Sequence, residues 1–291
     1  TRTNDGRYTP KAQRGERSAC LLPRRTEGCM KIVDLAPQYE TLFATCLEDR
    51  LPEAREAGGH RAAWIAAMKP RGLRARLAVD EKDVPIGMIQ YVPSSETLLD
   101  GGVGSYFVYC IWVVRFPDER GNHQGHGVGT ALLEAAEADA RSLGATGMAA
   151  WGLALPVWMR ASWFRKHGYR RADRSGIAVL MWKPFASGVA KPRFILPRKR
   201  PEKTPGQVTV TSFLHGHCRA GNVAHERARR ICAEIGKPVV YRVIDTKDMA
   251  VASEWGILDA LYIDDREVRT GPPPSYIKLR RKIEKEARKL R

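Results

Sequence analysis

Between residues 105 and 143 the sequence runs from an apolar strand, through a turn with glycine at alternate positions, into an amphipathic helix. Ser105–Val114 (SYFVYCIWVV) is the most strand-like segment of the chain, rich in aromatic and β-branched residues. Gly125, Gly127 and Gly129 punctuate the turn. Leu132, Leu133, Ala136 and Ala140 then recur at helical spacing, which predicts a helix over Gly127–Leu143 ended by Gly144. A strand that feeds a helix through a glycine-rich connection, here longer than the usual short strand–helix turn, points to a layered α/β fold, with a helix N-terminus at the end of a sheet.

The flanking sequence extends that pattern. Lys31–Leu35 reads as a strand, and Pro37–Asp49 and Pro52–Met68 as helices, the second interrupted at Gly58 and Gly59. Leu73–Val79 and Pro85–Val92 alternate around Asp80–Asp83 as a hairpin, and a glycine-rich loop at 100–104 leads into the strand described above. Met148–Leu153, Val157–His167 and Ala178–Trp182 follow as strand, helix and strand. The expected first unit is a mixed central sheet flanked by helices. Pro184, Pro192, Pro197, Pro201 and Pro205 then lie among basic residues and predict an extended linker. Beyond it come strand Val208–Phe213, helix Ala220–Ile235, strand Val239–Ile244 and helix Ala250–Trp255. Strands Leu258–Ile263 and Glu267–Arg269 and helix Ser275–Leu290 complete the chain. This β-α-β-α-β-β-α order is that of a thioredoxin-like α/β domain. The expected division is a disordered basic extension at 1–29, a first domain at 30–186, a linker at 187–206 and a second domain at 207–291.

Length and charge bound the function. A chain of 291 residues favours two domains, and 43% hydrophobic content suffices for their cores. The net charge of +17 is concentrated in the N-terminal extension, the linker and the last helix. Such runs suit solvated segments first and a polyanionic partner such as RNA second, so nucleic acid is not the favoured partner. No apolar run reaches the roughly 18 residues of a membrane span. Six cysteines with no C-x-x-C pair suit reduced thiols, and a cytoplasmic location is expected.

The turn carries the chemistry. The first turn of a helix leaves N–H groups unpaired and holds partial positive charge, which together bind phosphate. Glycine lets the main chain approach such an anion without a Cβ in the way. G-x-G-x-x-G is absent, because Leu132 stands at its third position, and so is the G-K-[ST] of a P-loop. A simple dinucleotide or nucleotide fingerprint is therefore not present.

Gln124, Gly127 and Gly129 with the following GTALLEAAE helix, and Ser162–Tyr169 (SWFRKHGY), resemble the GNAT acetyltransferase family over roughly Met30 to Pro184. The resemblance implies the acyl-CoA N-acyltransferase fold, acetyl-CoA as cofactor, and direct acetyl transfer to a small-molecule or peptide amine in a ternary complex. It assigns the pyrophosphate to Gln124, Gly125, His126, Gly127, Val128 and Gly129, and the pantetheine arm to main-chain groups of Val113 and Val114. Two positions depart from the family pattern: Phe164 stands where many members carry a proton-donating tyrosine, and Val157 where many carry asparagine. Phenylalanine has no proton to give. Tyr109 and Cys110 on the central strand, with Glu119 in the loop after it, are the catalytic candidates.

In the second half Cys218 falls at a strand–helix junction, where a helix N-terminus favours thiolate, but its partner position is Gly221. Phe213, Gly216, Cys218, Asn222, Glu254–Leu261 and the Arg269–Tyr276 run with three consecutive prolines resemble the YoaP-like domain of some GNAT proteins. His215, His217, Cys218 and His225 lack the spacing of a dedicated metal site, so no metal is expected. Two rival functions stay open: a non-catalytic acyl-CoA-binding or RNA-associated protein, and a monothiol redox protein using Cys218.

Overall fold

The computed structural model describes residues 30–115, 121–268 and 270–290. Expectations for residues 1–29 and for Glu119 lie outside them. The first part contains β1 (Lys31–Asp34), α1 (Pro37–Ala44), α2 (Pro52–Met68), β2 (Arg74–Val79), β3 (Pro85–Pro93), β4 (Leu99–Asp100) and β5 (Tyr106–Val113). After these come α3 (Val128–Ser142), β6 (Gly147–Leu153), α4 (Ala161–Lys166), β7 (Arg170–Ser175), β8 (Ala178–Pro184) and β9 (Arg193–Phe194). The second part contains β10 (Val208–Leu214), α5 (Arg219–Ile235), β11 (Val239–Asp245), α6 (Met249–Trp255), β12 (Ala260–Ile263), β13 (Arg266–Val268) and α7 (Tyr276–Arg288).

Seven strands form one mixed sheet in the order β1-β2-β3-β5-β6-β8-β7, antiparallel except for β5 against β6. One face packs on α3. Leu132, Leu133, Ala136 and Ala140 are all buried there, as their spacing predicts. Each buried leucine contributes roughly 1.5–3 kcal/mol. The other face packs on α1 and α2 around Phe43, Trp64, Met68 and Leu77. The second sheet has the order β11-β10-β12-β13, with β10 and β11 parallel and the other neighbours antiparallel. Its core joins Val210, Ile231, Leu261, Leu279 and Ile283.

Three sequence expectations need correction. Helix α2 runs unbroken through Gly58 and Gly59, and a Cβ at Gly58 would stand 3.5 Å from Thr45 Cγ2, an ordinary contact, so the two glycines neither break the helix nor are needed for packing there. The helix expected over Val157–His167 is only Ala161–Lys166, because Pro156 and a positive φ at Met159 hold the preceding residues in an irregular loop. The proline-rich segment is no free linker. Phe194 pairs with Leu99 and Arg193 with Asp100, Ile195 N–H donates to Leu98 O at 3.1 Å, and Arg198 N–H donates to Trp255 O at 2.9 Å. It straps the second sheet to the first.

Helices α2 and α5 also lie against each other. Arg61, fully buried, donates to Phe43 O at 2.9 Å, to Gln90 Oε1 at 2.6 Å and to the carbonyl of His217. His60 and Glu226 meet at 2.6 Å, and Arg227 Nε donates to Glu53 Oε1 at 2.9 Å. Gly216 makes the close approach, since a Cβ there would fall 2.8 Å from His60 O. Among the described residues no helix is long and apolar enough to cross a membrane.

Candidate functional site

Strand β5 is distorted where the site begins. Its register with β3 shifts between Gln90, opposite Cys110, and Tyr91, opposite Val108, so Tyr109 is the extra residue of a β-bulge. The bulge turns both Tyr109 and Cys110 toward the α1–α2 face, while Val108 and Ile111 face α3. On its other side β5 pairs with β6 only at Tyr106, Phe107 and Val108. Past that point the two parallel strands part. Trp151 crosses the opening, its Nε1–H donating to Tyr109 O at 2.8 Å.

Alternation along β5 decides which main-chain groups face the gap. Val114 N–H donates to Ile86 O at 2.9 Å and Val114 O accepts from His123 N–H at 3.0 Å, so both its groups are committed. Val113 O faces the other way and accepts from Gln124 Nε2 at 3.1 Å, and Tyr109 O faces the same side. Ile111, between them in phase, turns its N–H and C=O toward the gap. Val114, expected to face the gap, therefore has both main-chain groups engaged elsewhere, whereas Ile111 faces the gap and Val113 O is held by the Gln124 amide.

The turn after β5 opens beside this gap. Gly125 and Gly127 have φ of 85° and 84°, a left-handed backbone that favours glycine. Gly127 is the N-cap of α3, and the first intrahelical bond of the turn runs from Ala131 N–H to Gly127 O at 3.0 Å. The N–H groups of Val128, Gly129 and Thr130 precede it and have no helical acceptor. Gln124, Gly125, His126 and Gly127 are exposed, whereas Val128 is buried, so Val128 can offer only its main chain.

Helix α4 supplies the wall that sequence reading missed. A Cβ at Gly129 would lie 3.5 Å from Trp163 Cζ2 and 3.7 Å from Val113 Cγ2, which places the indole between turn and strand. His167 stacks on Trp163 with centroids 4.1 Å apart. Its Nδ1 lies 2.8 Å from Trp163 O, which can only accept, so Nδ1 carries the proton and Nε2 in the neutral ring accepts from Thr130 Oγ1 at 3.0 Å. The i, i+4 spacing of Trp163 and His167 was the available signal. Phe164 is fully buried against Tyr169 and does not reach the gap, and Val157 is exposed in the loop before α4.

Of the catalytic candidates, Tyr109 donates its hydroxyl to Glu96 O at 3.0 Å, and burial holds the phenol well above its ordinary range. Burial also pushes the Cys110 thiol far up, with Cys46 adding to the effect. Cys110 is thus a protonated thiol. Burial likewise raises Cys218 to about 11, against opposing hydrogen bonds from the Gly221 and Ala220 amides. The thiolate expected from the helix N-terminus is not favoured, because desolvation exceeds the effect of the amides. His215 and His217 meet through their Nδ1 atoms at 2.9 Å, and burial lowers His217 to about 4. His225 points elsewhere, to Ser212 and Asp259. Among the described residues no three His, Cys, Asp or Glu side chains are grouped to hold a metal.

The sheet order, the bulged central strand and the parting of β5 from β6 accompany a sequence match. Residues 36–169 match the model of the acetyltransferase (GNAT) family. The first unit is a GNAT acetyltransferase domain. No curated protein matches the chain. Similar solved structures include a GNAT family acetyltransferase from Brucella melitensis in complex with acetyl-CoA, 18% identical, covering 57% of this chain and 94% of its own, with a TM-score of 0.40. The GNAT family N-acetyltransferase YhbS from Escherichia coli in complex with CoA is 13% identical, with coverages of 59% and 92% and a TM-score of 0.42. The PaiA N-acetyltransferase from Thermoplasma acidophilum in complex with coenzyme A is 15% identical, with coverages of 54% and 99% and a TM-score of 0.39.

Proposed function

We propose that the chain is an acetyl-CoA-dependent N-acetyltransferase that acts on an amine by direct transfer in a ternary complex. One observation carries the reading: an open helix N-terminus at Gly127 stands beside the gap where β5 leaves β6. The donor set fits coenzyme A, because successive main-chain N–H groups suit a diphosphate and the exposed, glycine-bearing turn lets it approach. When bound, the cofactor supplies the acetyl group as a thioester. Residues 124–129 bind the diphosphate, Ile111 and Val113 orient the arm along the unpaired edge of β5, and Trp163 excludes water from one side. A neutral amine is the nucleophile, so a protonated acceptor must lose a proton, and holding it in place supplies much of the rate.

The test is release of CoA from acetyl-CoA by the full chain over a panel of amines, with product masses measured. Acetylated amine supports the proposal. A second reading is favoured by Phe164, which leaves the tyrosine position without a hydroxyl: tight acetyl-CoA binding without turnover across the panel means a binding protein.

The second unit we read as thioredoxin-like, supported by its element order and its β11-β10-β12-β13 sheet, with domains at 30–186 and 207–291. The free thiols Cys46, Cys110, Cys218 and Cys232 support a reducing, cytoplasmic setting.

A further inference from the structure

A cavity of about 320 Å³ lies between the two sheets, and neither unit builds it alone. The first sheet contributes Phe107, Tyr109 and Trp151, the strap contributes Phe194, and the second unit contributes Asp259 and Tyr262. Tyr109 and Trp151 are the pair that bridges the opening between β5 and β6. The cavity therefore begins where the two strands part.

Its chemistry is uneven in a way that selects a ligand. Five of those six side chains are aromatic and offer apolar faces. Asp259 is the exception. Its Oδ1 lies 3.3 Å from His225 Nε2, while its Oδ2 is buried with no hydrogen-bond partner among the described residues. A buried carboxylate oxygen without a donor is costly, and an ammonium is the ligand group that relieves it. His217 also lines the wall, stacked 4.6 Å from Tyr109, and as a neutral imidazole it does not repel a cation. Glu267 also lines the cavity but is exposed, so water screens its charge and leaves Asp259 as the buried carboxylate.

We infer that this cavity is the acceptor site, completed by the strap and the second unit, and that it takes a small amine with a single ammonium on a ring-sized apolar body. The inference rests on the acetyltransferase reading above. The amine nitrogen forms the new bond to the acetyl carbon as the carbon–sulfur bond breaks. The sulfur leaves as CoA thiol, and the acceptor ammonium's extra proton is released to water. Asp259 is a positioning residue for the ammonium and not a reacting group.

The test compares 2-phenylethylamine, ethylamine and spermidine as acceptors with the full chain, reading kcat/KM from CoA release and measuring acetyl-CoA affinity in the same samples. The aromatic amine is expected to exceed both others at least about ten-fold. Asp259→Asn is expected to raise KM for 2-phenylethylamine about ten-fold while leaving acetyl-CoA affinity unchanged. Should that variant misfold through its contact with His225, Phe194→Ala on the strap is expected to raise the same KM with the second unit intact. Equal or faster turnover of spermidine or ethylamine overturns the inference, as does an unmoved KM in the folded variants. Acetyl-CoA binding without any reaction or binding of 2-phenylethylamine also overturns it while sparing cofactor recognition, whereas failure to bind acetyl-CoA removes both.

Discussion

Trp151 donates its indole N–H to the carbonyl of Tyr109 at 2.8 Å, immediately past Val108 and Ala150, the last residues at which β5 and β6 pair. One side chain thus takes over a ladder position that the parallel strands have abandoned. The bond satisfies a carbonyl that the bulge would otherwise leave facing the gap, and it fixes the width of the opening at its root.

Replacing Trp151 with Phe keeps a ring and removes that donor. We expect a stability loss of about 1 kcal/mol in urea unfolding. Acetyl transfer is expected to fall further than stability, because the opening loses its anchor. Unchanged turnover in a folded variant would argue that the bridge is only structural.

Arg61 ties α2 to the second unit with no carboxylate partner among the described residues, giving its hydrogen bonds to Phe43 O, Gln90 Oε1 and His217 O. Arg61→Met leaves buried Gln90 Oε1 without the Arg61 donor, while Phe43 O keeps the Cys46 N–H and His217 O keeps the Gln90 amide. The expected cost is about 3 kcal/mol, read as a shift of the urea midpoint. A shift below the error of the measurement would contradict the packing described here.

Asp139 on α3 sets the acid limit of the first unit. Burial alone would raise its carboxyl, but hydrogen bonds from Arg74 and Tyr91 and the charge of Arg76 bring it down to about 2. A depressed carboxylate contributes stability that is present above its unfolded pKa and lost as pH falls through the folded one. Stability should therefore drop between about pH 4 and pH 2, by about 2 kcal/mol from this group. Asp139→Asn should be less stable at neutral pH and flatter across that window. An identical pH profile in the variant would refute the assignment.

Cys218 sits at the N-cap of α5, yet its thiol is pushed up to about 11. Iodoacetamide labelling, followed by peptide mass spectrometry, should be slow near neutral pH and accelerate toward about pH 11. Rapid labelling of Cys218 at about pH 7 would restore a thiolate function for the second unit.

The parts legible in the sequence are local. The stripe Leu132, Leu133, Ala136 and Ala140 needed only the helical period, and Gly125 and Gly127 marked a turn open to close approach, whose left-handed backbone came only with the fold. Main-chain phase on β5 was not legible, because the bulge at Tyr109 depends on how β3 pairs with it, and so the resemblance points to Val114 where Ile111 faces the gap. The strap was missed for a similar reason: Phe194 and Arg193 become a strand only by meeting Leu99 and Asp100, nearly a hundred residues away. Buried Arg61 and Gly216 gave no local sign of joining two units. Trp163 and His167 belong to a segment that resembles a family motif, but their contact with Gly129 and Thr130 required the fold.

The account rests on main-chain amides at the start of α3 holding a diphosphate next to an open strand edge. Calorimetric titration of the full chain with acetyl-CoA tests this most directly, alongside Gly127→Val, which forces a β-branched residue to a φ of 84°. The predicted result is one molecule bound per chain, with binding abolished in a variant that still unfolds cooperatively. No heat from the folded wild-type chain, or undiminished affinity in Gly127→Val, would contradict it.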